Sequence, residues 1–165
     1  MPQHRSPEEL ALALSGPLGQ WKRAVDLEHD RLADGTDADA RPADAALFVV
    51  AVRNVVRVAR AVAGLRKDPR LNAAISLVEA AVPGAKSVRT PLDHVDDYAV
   101  HRRSLRPSHR ASAGYRIAYD NTDSRHVVYV GELAFDVDVV ANAARDLADA
   151  AQQAIDRLAV SEARA

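Results

Sequence analysis

The sequence predicts a mainly α fold, a bundle of four to five helices with a β-hairpin inserted before the C-terminal helix. Apolar residues make up 48% of the 165 and aromatics only 4%. Alanine and valine dominate the apolar set, a mix that suits closely packed helices better than stacked sheets. Long segments repeat apolar residues at spacings of three and four, the period of an α-helix, and one short stretch before the end alternates instead.

Taken in order, Ser6-Pro7-Glu8-Glu9 is a helix start, with Ser6 as cap, Pro7 in the first turn and Glu9 completing a capping box. This short N-terminal helix, within residues 1–16, is expected to end near Ser15-Gly16-Pro17. A second helix is expected from Leu18 to Leu32, with Leu18, Trp21, Val25 and Leu32 inward. After an acidic loop, Ala43–Arg66 is the clearest long helix: Phe48, Ala51, Val55, Val58, Val62 and Leu65 share one face. Arg53, Arg57, Arg60 and Gly64 form a narrow stripe on the other. A helix over Asp68–Val82 carries Leu71, Ile75, Leu77 and Val78 and stops at Pro83-Gly84.

Thr90-Pro91-Leu92-Asp93 repeats the logic of the first helix start, and the helix it opens is expected to reach about Arg103. The hairpin insertion, residues 112–131, pairs Tyr115–Tyr119 with His126–Val130 across a turn at Asp120–Ser124. The last helix, Asp136–Val160, is apolar at Val140, Ala144, Leu147, Ala151, Ile155 and Leu158. No repeat or linker divides the chain, so residues 1–165 are read as a single helical domain.

Composition excludes several classes of function. Formal net charge is −1, so no global excess points to nucleic acid or an anionic membrane. Cysteine is absent, which removes disulfides, thiolate nucleophiles and zinc–thiolate sites. No apolar run approaches the roughly 20 residues of a membrane span, and Met1–Leu10 lacks the apolar stretch of a secretory signal. A cytoplasmic address is expected. There is no Gly-rich phosphate loop, nucleophile elbow or paired-glutamate motif, and no cofactor or metal is implied.

The remaining chemistry centres on Arg89 and His94. Inside one helix, a separation of five would put them about 140° apart. With Thr90 as N-cap, Arg89 becomes the residue before the cap and His94 the fourth helical position, two places that meet across a helix start. A guanidinium and an imidazole would converge beside free backbone N–H groups, a setting for a phosphate and for proton transfer near neutral pH. Arg102, Arg103, Arg106 and Arg110 follow in an acid-free run that can track a phosphate backbone. That run can equally be solvated, or can dock on Asp138, Asp146, Asp149 and Asp156 of the last helix. His94, Asp97 and His101 return to one helical face, a pattern open to a divalent metal or to plain solvation. His4, His29, His109 and His126 are scattered and receive no role.

Arg89-Thr-Pro-Leu-Asp-His94 is similar to the Arg-x4–6-His motif of the HEPN superfamily. The stretch Ala81–Tyr98 also resembles HEPN-like proteins of high-GC actinobacteria. The resemblance extends over about Ala43–Leu158. It implies a helical bundle that dimerises, with motifs from both protomers lining a shared cleft. In active members the residues matching Arg89 and His94 carry metal-independent RNA cleavage. Thr90, Asp97 and Tyr98 are candidate supporting residues. This chain departs from the active pattern: Thr90 follows the arginine where Asn, Asp or another polar residue is usual, Pro91 interrupts the motif, and the tyrosine two residues beyond the histidine is missing. The expected function is therefore a non-catalytic HEPN-like interaction and assembly module, homodimeric, with RNA or a small protein as partner. The alternative is an endoribonuclease of toxin or defence type using Arg89 and His94.

Overall fold

The structure is a computed structural model that describes residues 6–34, 41–82, 117–120, 126–130 and 133–162. In chain order it forms α1 (Pro7–Asp34), α2 (Arg41–Leu65), α3 (Pro69–Ala81), β1 (Ile117–Asp120), β2 (Val127–Val130), β3 (Leu133–Asp136) and α4 (Val137–Glu162). The fold is mainly helical, with a small antiparallel sheet just ahead of the last helix. No helix among the described residues is long and apolar enough to cross a membrane.

The capping box at the start of α1 forms in both directions. Glu9 N–H donates to Ser6 Oγ at 3.2 Å, and Ser6 N–H donates to Glu9 Oε2 at 2.9 Å. The expected break at Ser15-Gly16-Pro17 does not occur: α1 runs through Pro17 as one helix of 28 residues. An internal proline removes one backbone hydrogen bond and costs about 3 kcal/mol in isolation. Packing overrides it here. Ala11, Leu18, Val25 and Leu32 recur every seven residues on both sides of Pro17, and all are buried, so a break would have cut a continuous apolar seam. Ser15 Oγ also donates to Gln152 Oε1 at 2.9 Å, tying the proline turn to α4.

On α2, Ala45, Phe48, Val52, Val55, Ala59 and Val62 form the buried face. Helix α3 opens on Asp68, whose Oδ1 accepts the N–H groups of Arg70 and Leu71 at 2.9 and 3.2 Å. Leu71, Ile75 and Val78 point inward, whereas Leu77, expected with them, is 69% exposed. The Leu71 N–H does most to hold the Asp68 carboxyl below the usual aspartate range. Partial burial opposes this, and Arg157, at 2.7 Å from Oδ2, adds to it.

The expected hairpin is larger than the sequence indicated. β1 pairs with β2, and β2 pairs in turn with β3, which no expectation covered. Val128 lies opposite Phe135 and both are buried, while their neighbours Tyr129 and Ala134 face out. One apolar pair thus fixes the register of the added strand. The sheet lies against α2 through β1 and against α4 through β3.

Helix α4 packs on α1, α2 and α3. Val140, Ala144, Leu147, Ala151, Ile155 and Leu158 are all buried, as their spacing predicts. Beside this seam runs a polar ladder to α1. His29 meets Asp138, Asp26 meets Arg145, Lys22 meets Asp149 and Ser15 meets Gln152. As one chain's numbers fall the other's rise, so the two helices are antiparallel and in fixed register.

Removing the Asp68 cap with Asp68→Ala is expected to cost about 1 kcal/mol in urea unfolding at neutral pH. The carboxylate is held below its unfolded pKa, so its stabilisation is present above that value and lost as pH falls through the folded one. The gap between wild type and variant should therefore close in strong acid. An equal gap at both pH values would contradict this assignment.

Candidate functional site

The residues singled out for chemistry, Arg89, Thr90, His94, Asp97 and Tyr98, lie outside the described residues. So do Arg102, Arg103, Arg106, Arg110 and the metal pattern His94–Asp97–His101. Their flanks are described: α3 closes at Val82, whose N–H donates to Val78 O at 3.1 Å, and β1 begins at Ile117 beside α2.

Within the described residues, chemistry-bearing side chains converge where α1, β2 and α4 meet. Asp136 ends β3 and caps α4, its Oδ1 accepting the Val139 N–H at 3.1 Å. The β2–β3 ladder sets Val127 opposite Asp136, so His126, one residue earlier, falls beside the first turn of α4. The His126 carbonyl accepts the Val137 N–H at 2.7 Å. Asp138 then stands at the amino end of α4, where unsatisfied N–H groups favour a negative charge. Its two oxygens face two imidazoles: Oδ1 lies 2.7 Å from His29 Nε2, and Oδ2 lies 3.6 Å from His126 Nδ1. Both rings are mostly buried, at 17% and 19% exposure, while Asp138 is 46% exposed.

A histidine held by a carboxylate is a familiar way to prepare a proton acceptor. Here the second ring nitrogen of His29 also faces an acid, Nδ1 lying 3.4 Å from Asp30 Oδ1. Both ring nitrogens of His29 thus lie against carboxylates. The arrangement joins three elements. Sequence reasoning gave His29 and His126 no role, because they are far apart in the chain and belong to no motif. The one usable signal was the Asp136-Val-Asp138 helix start.

The arginine stripe on α2 resolves partly. Arg60 pairs with Glu79 of α3, while Arg57 and Gly64 are exposed. Two of the acids on α4 considered as docking points face α1: Asp138 meets His29, and Asp149 meets Lys22 Nζ at 2.5 Å. Among the described residues no group of three His, Asp or Glu side chains has the geometry to hold a metal ion. No known family model, curated protein or solved structure matches the chain.

If the His29–Asp138 contact joins helices, a double-mutant cycle with His29→Ala and Asp138→Ala should give a coupling of about 0.5–1.5 kcal/mol in unfolding free energy. Strictly additive losses would show that the two side chains do not support each other.

Proposed function

We propose that this chain is a non-catalytic HEPN-like interaction and assembly module. In this reading it acts as a homodimer and engages its partner, RNA or a small protein, through residues 89–110. The observation that carries the reading is how the described bundle uses its ionisable side chains. Lys22, Arg60 and Arg145 each pair with an acid of another helix, Arg157 pairs with the Asp68 cap of α3, and Arg31 pairs with Glu28 of α1 and lies 4.0 Å from Asp44 of α2. His29 and His126 both lie against Asp138. These groups hold the described elements together, while Arg57 of α2 stays exposed; the assignment of recognition to the arginine-rich run with Arg89 and His94 rests on the sequence. The departures of Thr90 and Pro91 from the active motif favour binding over cleavage there.

The competing reading is a metal-independent endoribonuclease, with His94 assisting attack by a ribose 2′-OH and Arg89 stabilising the phosphate. One preparation separates the two. The module reading predicts a dimer mass by light scattering and intact RNA after incubation with either wild type or His94→Ala. Cleavage by wild type that disappears in a folded His94→Ala variant would establish the nuclease. A strictly monomeric protein would remove the assembly role.

A further inference from the structure

Glu28 is the charged residue counted within the described interior, at 6% exposure. It follows Val25 by three residues and precedes Leu32 by four, which sets it on the apolar seam of α1. Its Oε1 accepts a hydrogen bond from Arg31 Nη1 at 3.0 Å. Its Oε2 is enclosed and has no hydrogen-bond partner among the described residues. The position is not an open cation site, because Arg31 already stands there, with Nη1 also 4.0 Å from Asp44 Oδ1 of α2.

Two acids therefore share one guanidinium that is itself half exposed and partly screened by solvent. An enclosed, unpartnered carboxylate oxygen is costly, and a neutral carboxyl is far less so. We propose that Glu28 is a proton-operated latch between α1 and α2. With a neutral carboxyl the seam is closed; with a carboxylate, the end of α1 loosens from the start of α2.

Burial, the largest influence, pushes the Glu28 carboxyl above its ordinary range; Arg31 opposes this and Asp44 of α2 reinforces it. The adjoining groups on α1, His29 and Asp30, face each other, and His29 also faces Asp138 of α4, which His126 approaches from ahead of β2. The sign follows from a folded state that holds the proton more tightly than the unfolded chain. The stabilisation is complete below the ordinary glutamate pKa and is lost as pH rises through the folded value.

The test compares wild type with Glu28→Gln, a permanent mimic of the protonated side chain, by denaturant unfolding from acid to mildly alkaline pH. A carbon-detected NMR titration of the Glu28 carboxyl in wild type accompanies it. The variant should match wild type in acid and become progressively more stable above the midpoint. The ratio of unfolding constants should change about tenfold for each unit by which the folded midpoint is raised. Amide exchange over residues 25–34 should quicken in wild type alone above that midpoint. A midpoint at or below about 4.3, the ordinary glutamate value, overturns the latch, as does a variant no more stable than wild type at any pH. If Glu28→Gln fails to fold, the wild-type titration decides by itself.

Discussion

The antiparallel seam between α1 and α4 is the constraint on which the rest of the molecule depends. One side is apolar, built from Ala11, Leu18, Val25 and Leu32 and from the buried face of α4. Its flank is polar, with rungs from Ser15–Gln152 to His29–Asp138. The apolar face supplies the burial that drives association, and the polar rungs allow only one register. Helix α4 presents further surface to α2 and α3, and α2 also packs directly on α1, so the seam is closed by a third helix. The sheet enters through the same helix, because β3 runs directly into α4 at Asp136 and Val137.

This dependence explains where local rules were overridden. Pro17 and Gly16 are good terminators by local chemistry, yet the seven-residue recurrence of apolar residues continues through them. A single-residue signal acts over one turn, whereas the seam acts over the whole helix. The same reasoning covers β3. Four residues, one of them alanine and one a helix cap, carry too little alternation to read as a strand until Val128 is found opposite Phe135.

Much of the bundle was nevertheless legible. The capping box of α1, the long faces of α2 and α4, and the Asp68 helix start depend on spacings of three to seven residues, which a sequence displays directly. The contacts of His29, His126 and Asp138 were not legible, since three elements must be assembled before the residues meet. Glu28 was readable in principle: its spacing from Val25 and Leu32 puts an acid on an apolar face. The candidate pair Arg89 and His94 stands on sequence reasoning, and its functional reading draws on the bundle only through the roles that the other ionisable groups already have.

Native-state hydrogen exchange under increasing denaturant tests the seam most directly. If α1 and α4 form the organising contact, amides of residues 18–32 and 140–158 should share the slowest exchange and merge with global unfolding together. Protection that is lost first from α4, while α1 and α2 stay closed, would contradict the account.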